Sequence, residues 1–310
     1  MTKPESIEQL LVQARMLIKA KNKNEAMEIL GVAIDLTHAG LGDECELAAL
    51  DLAEKVLEDI PEAALEICER ILARQPTHPA AQFVKGDACR LLSDLPRAAE
   101  AYRTAALERP DHASSWASLA LTSFELLDFD EAQRAVGRSV RANPRYPEAW
   151  WVRSLLQEWR GDFGGAQRSL AHAQWIDPVG YPMPPQLTNK QAERLVEQAL
   201  NQLDPSLREL LANVPIILDE LPSLDILLQY DPPASPLHVL GCFTGASIME
   251  RSLDNPWGDV PATIVLFRRN LSRMSIDHEE LIEQLRITLF HEIGHFLGLD
   301  EDDLDHRGLA

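Results

Sequence analysis

The stretch ASSWASLALTSFELLDFDEAQRAVGRSVRANPRY, residues 113–146, decides the fold of the first half of the chain. It reads as two helices on either side of the turn Leu127-Asp128-Phe129. Pro144 stops the second, because proline lacks an N–H and its ring clashes with the preceding turn. The same proline falls at Pro76, Pro110 and Pro178, at a constant interval of 34 residues. With each proline set at position 32, the units are 45–78, 79–112, 113–146 and 147–180. Position 20 is then Ala64, Ala98, Ala132 and Ala166. Position 8 is Leu52, Gly86, Ala120 and Ser154, and position 27 is Ile71, Ala105, Ser139 and Ala173. Tryptophans enter at position 4 as Trp116 and Trp150. The turn between helices recurs as SDL at 93–95, LDF at 127–129 and GDF at 161–163.

Small residues at these positions let two antiparallel helices approach closely. One such pair cannot bury its apolar face alone, so neighbouring pairs stack. The pattern resembles the tetratricopeptide repeat. A further pair is expected at about 7–40, where Asn24-Glu25-Ala26 is similar to the turn-then-alanine of the later units. The resemblance implies an α-solenoid of helix pairs over residues 1–180, with a concave groove for a protein or peptide partner. The family's carboxylate clamp uses Lys and Asn at position 9. Here that position holds Ala53, Asp87, Leu121 and Leu155, so a ligand of that kind is not expected.

The chain of 310 residues is long enough for about two domains. A hydrophobic content of 45% with 25% charged residues is that of an ordinary globular protein. No run approaches the ~18 apolar residues of a membrane helix. The opening MTKPESIEQLLVQARM has no basic patch leading into an apolar core, so a secretory signal is not expected. The net charge is −20, with 20 basic and 28 acidic side chains in 1–180 against 9 and 21 in 181–310. A cation deficit of this size argues against a nucleic-acid partner. Cys45, Cys68, Cys89 and Cys242 form no CxxC pair and read as buried free thiols in a reducing, cytoplasmic compartment.

Three prolines in Pro182-Met-Pro-Pro185 break the period, so residues 181–188 read as an extended linker ahead of a second domain, 189–310. Its chemistry is carried by His291-Glu-Ile-Gly-His295. Asp277 with Glu280 reads as a capping box. Leu281, Leu285, Leu289, Ile293 and Phe296 follow at helical spacing, and Gly298 can close the helix. His291 and His295, four apart, then share one face and can bind one zinc ion. Glu292 is turned about 100° from them, placed to act as general base rather than ligand. Gly294 weakens the helix by about 1 kcal/mol, which a close neighbour over that position would explain. The string continues as HExxHxxGxxE, so Glu301 can swing back as third ligand, with Asp300, Asp302 and His306 as rivals.

Residues 189–310 resemble the short bacterial zincin-like metallopeptidase domains. The likeness extends to an opening helix, Lys190–Leu203, strands within 213–222, 238–245 and 262–268, and a motif helix from Glu280 to His295. The resemblance implies a small α+β domain, one zinc ion held by His291, His295 and Glu301, Glu292 as base, and a peptide substrate hydrolysed by zinc-activated water. The strand at 262–268 is the expected partner for an extended substrate. Arg268 and Arg269 read as solvated strand-end residues. The function expected is therefore a zinc metallopeptidase whose repeats recruit a substrate or partner protein. The alternative is an adaptor in which the repeats carry the function and the zinc domain is structural or regulatory. A purely structural metal site has no use for Glu292.

Overall fold

The computed structural model describes residues 43–249 and 261–306, with scattered positions between 9 and 32. The helix pair expected at about 7–40 falls largely outside the described residues. The chain divides into two compact units, Met1–Tyr181 and Pro182–Ala310.

The first unit contains eight described helices: α1 (Asp43–Val56), α2 (Pro61–Leu72), α3 (Pro79–Leu91), α4 (Leu95–Glu108), α5 (Ala113–Glu125), α6 (Phe129–Ala142), α7 (Pro147–Trp159) and α8 (Phe163–Ile176). They pair and stack as the 34-residue period requires. Asp94, Asp128 and Asp162 are the N-caps of α4, α6 and α8, each accepting from a backbone N–H three residues on, at 3.2, 2.9 and 2.9 Å. That bond satisfies one of the donors a helix start leaves open. The residue before each cap lies in the left-handed region: Ser93 at φ 61°, Leu127 at 64° and Gly161 at 78°. This reversal turns the chain from one helix into its partner. The period also fixes a bond between units. The position-4 side chains Gln82, Trp116 and Trp150 donate to the carbonyls of Pro76, Pro110 and Pro144 at 2.7, 3.0 and 2.8 Å. The prolines thus serve as acceptors as well as helix stops. At Gly86 a Cβ would stand 2.5 Å from the Tyr102 ring, so the close approach of α3 and α4 requires glycine there.

Only Gly adopts left-handed angles without penalty, and exposed Ser93 has no apolar contact to lose. Ser93→Gly is therefore expected to stabilise the repeat unit by about 0.5–1 kcal/mol. Denaturant unfolding measures this, and an unchanged or lowered midpoint would count against strain at this turn.

The second unit is the small α+β domain. Its elements are α9 (Asn189–Asn201), α10 (Pro205–Leu211), β1 (Ile216–Asp219), α11 (Leu224–Leu227), β2 (Gly241–Thr244), β3 (Thr263–Phe267), α12 (Arg268–Met274), α13 (His278–Leu297) and α14 (Glu301–Asp305). The sheet order is β1-β3-β2, with β1 parallel and β2 antiparallel to β3. Helices α9 and α13 cover it, and Ile264, Leu266, Leu281, Leu285, Leu289 and Phe296 form the core between layers. One expectation is corrected here. Strand 262–268 cannot receive a substrate, because β3 is central and both its edges are already paired. The open edges among the described residues belong to β1 and β2.

The proline-rich segment packs on this second unit. Ser272 Oγ donates to the Pro185 carbonyl, Arg268 Nη1 to that of Leu187 at 3.4 Å, and Leu187 joins the core. Thr188 then caps α9 in a capping box with Gln191. No helix among the described residues is long and apolar enough to cross a membrane.

Candidate metal centre

Helix α13 begins at Asp277, whose carboxylate accepts from Glu280 N–H at 2.9 Å, while Glu280 accepts from Ile276 N–H at 2.6 Å. Both ends of this acidic first turn suit the positive end of the helix dipole. The helix ends at Gly298, left-handed at φ 91°. Leu299 N–H returns to the Gly294 carbonyl and Gly298 N–H to that of His295, each at 3.0 Å. The chain then starts α14, with Asp300 as N-cap and Leu304 fully buried. Gly294 makes this possible: a Cβ there would collide with Leu304 Cδ2. The neighbour that the glycine called for is thus Leu304, and its seat fixes the helix that carries Glu301.

This turn brings three donors together. His291 Nε2 and His295 Nε2 are 2.9 Å apart. Glu301 places its carboxylate oxygens 3.3 Å from His295 Nε2 and 3.8 Å from His291 Nε2. All three donors lie within 4.8 Å of one another. His295 Nδ1 sits 3.2 Å from the Leu299 carbonyl. A proton on Nδ1 donates there and leaves the Nε2 lone pair facing the cluster, the usual way a ligand histidine is oriented. Bonds of ~2.0–2.1 Å to a tetrahedral zinc ion would space ligand atoms by roughly 3.3 Å, so these donors fit that ion in type and spacing. Asp300 spends its carboxylate on Asp303 N–H at 2.9 Å. His306 Nδ1 lies against the Asp302 carbonyl at 2.6 Å. Among the described residues, the cluster contains neither of these nor Asp302.

Glu292 lies outside the cluster and is 5% exposed. Burial pushes its carboxyl up to about 8, the Phe243 N–H that bonds it acts against this, and the charge of Glu301 adds to it. A cation nearby acts in the opposite sense. Strand β2 crosses close above: a Cβ at Gly241 would stand 2.8 Å from Thr288 Cγ2 and 3.0 Å from Glu292 Oε1. Glycine at 241 is therefore what lets the strand lie against the base.

Tyr230 is a neighbour that sequence reasoning missed. Its phenol is pushed up by burial and by the charges of Glu292, Cys242 and Glu301. Nothing in its sequence surroundings marks it, since it comes from a loop more than 60 residues before the motif. Arg268 and Arg269, expected to be solvated, instead pair with Glu220, and Arg269 Nε stands 2.9 Å from its carboxylate. His278 lies at the far end of α13, with Nε2 3.2 Å from the Gln186 carbonyl.

The family model described as zincin-like metallopeptidase matches residues 211–309. The model described as tetratricopeptide repeat matches 52–113 and 117–170. The chain thus joins tetratricopeptide repeats to a zincin-like domain. No curated protein matches it. Among solved structures it is similar to MamA, at 18% identity over 51% of this chain and 94% of that chain, with a TM-score of 0.42. A TPR protein with an unusual peptide-binding site, YrrB, shares 13% identity over 55% and 86%, at 0.41. TTC0263, a thermophilic TPR protein of Thermus thermophilus, shares 18% over 56% and 93%, also at 0.41.

Proposed function

We propose that the chain is a cytoplasmic zinc-dependent peptidase in which His291, His295 and Glu301 hold one zinc ion and Glu292 is the general base. The repeat array recruits a substrate or partner protein. The observation that carries this reading is the meeting of two imidazole nitrogens and one carboxylate beside a buried carboxylate that is not part of their cluster. Three protein donors leave a position open for water, as in catalytic rather than closed structural sites. Zinc in such a site lowers the pKa of water and polarises a carbonyl.

The remaining work falls to the chain's own groups. Glu292 takes a proton from the attacking water and passes it to the leaving amine nitrogen. The Phe243 N–H holds its carboxylate on the strand side. The Leu299 carbonyl keeps the His295 ring in orientation. Tyr230, within reach of the charges of Glu292 and Glu301, supplies an O–H for the substrate carbonyl oxygen as charge develops there. The outer edge of β2, which includes Phe243, receives an extended peptide by strand addition. Free buried thiols at Cys68, Cys89 and Cys242 fit a reducing compartment.

Purified protein is expected to hold about one zinc per chain and to lose it in the His291→Ala/His295→Ala double variant. Elemental mass spectrometry checks this, and full occupancy in the double variant would remove the assignment. The adaptor reading leaves unexplained why a carboxylate is buried beside the cluster. It prevails if the zinc-loaded parent cleaves no member of a mixed peptide library while the repeats retain a partner.

A further inference from the structure

The sheet has a second edge, β1, far in the strand order from β2. The Pro215 carbonyl accepts from Ile264 N–H at 3.0 Å, which puts the backbone groups of residues 215, 217 and 219 on the β3 side. Successive residues of a strand direct their amide and carbonyl groups to opposite edges. The N–H and C=O of Ile216 and Leu218 therefore point outward, and no strand among the described residues pairs with them. Beside this edge lies a cavity of about 460 Å³, lined by Val196 and Leu200 of α9, Leu211 of α10, Val214, and Ile216 and Leu218 of β1. Its size suits a small apolar group.

The mouth is charged. Glu193 and Glu197 border the cavity one helical turn apart on α9. Both are exposed, and neither has a hydrogen bond or ion pair among the described residues. The one cation at the mouth, Arg208, is directed elsewhere, with Nη1 3.4 Å from Asn201 Oδ1. Open backbone groups call for an extended strand, the cavity for an aliphatic side chain, and the two free carboxylates for a cation.

We propose that β1 is a docking edge for an extended segment of a partner polypeptide. The segment places an aliphatic side chain in the cavity and a neighbouring Lys or Arg on Glu193 and Glu197. Residues of an added strand that share a face are two apart, so a cation-x-aliphatic-x-cation pattern fits. The site stands apart from the His291–His295–Glu301 cluster and does not depend on hydrolysis.

The test uses the full-length protein and the peptide acetyl-TKTLTKT-amide, followed by amide exchange and NMR titration. The expected result is at least tenfold slower exchange at the Ile216 and Leu218 amides when peptide is bound. The Glu193→Lys/Glu197→Lys variant, changed only at exposed positions, should bind at least tenfold more weakly. So should the peptide with glutamate in place of lysine, or with N-methyl groups on the pairing amides. His291→Ala should bind as the parent does. The proposal is overturned if the two amides gain no protection or if charge reversal leaves binding unchanged. Loss of binding in His291→Ala would place the peptide at the metal cluster, and protection that rises with protein concentration alone would make a second copy the occupant. Either result also overturns it.

Discussion

Glu292→Gln is expected to lower peptide hydrolysis by about 10²–10⁴-fold while zinc content stays at the parental level, the usual scale for removing a general base. The substitution keeps the shape of the side chain and leaves all three donors of the cluster in place. It also keeps an oxygen to accept from the Phe243 N–H, so the packing of β2 over α13 has no cause to change. Glu301→Ala provides the contrast. It removes a donor, so metal affinity and activity should fall together. Stopped assays with metal analysis on the same samples separate the two variants. Hydrolysis by Glu292→Gln at the parental rate on every cleaved peptide would falsify the assignment of the base.

Gly294→Ala is expected to weaken metal binding by about 10–100-fold although residue 294 is no ligand, the scale found for groups that orient ligands. The new methyl group takes the space of Leu304 Cδ2, so Leu304 must leave its seat and carry α14 and Glu301 with it. Overpacking costs about 1–3 kcal/mol, and the gain in helix propensity offsets about 1 kcal/mol of that. Global stability should therefore change much less than metal affinity. Leu304→Val, which has no Cδ, frees the space and should restore binding when combined with Gly294→Ala. A double-mutant cycle by competition with a chelator measures this coupling. Additive effects of the two changes would show that Leu304 does not transmit the shift.

The repeat and the metal motif were legible because both are local. Prolines spaced by 34 residues and two histidines spaced by four state their geometry within one or two helices. The caps at Asp94, Asp128 and Asp162 were likewise visible in the SDL, LDF and GDF turns. What escaped were relations between segments distant in sequence. The three strands are only four or five residues long. Their order depends on pairings across dozens of residues, so the central place of β3 could not be read from its composition. Tyr230 comes near the base only because its loop folds back over α13, and Glu220 becomes the partner of Arg268 and Arg269 only once β1 lies beside β3. The glutamine and tryptophans at position 4 were noticed or passed over as bulk, whereas their role is to donate to a proline carbonyl six residues back. Gly294 was the exception: the residue type alone called for a close neighbour, and only the neighbour's name was missing.

All three donors of the cluster come from one short run, residues 291–301, hinged at Gly298. Chelation by groups so near in sequence closes only small loops and costs little chain entropy. The piece that must move for an ion to leave is α14, a helix of 5 residues held by Leu304 and its cap. Openings of this local kind occur far more often than global unfolding. The residence time of an ion is thereby set by the fraying of one terminal clasp, and ions can come and go while the sheet and α13 remain folded.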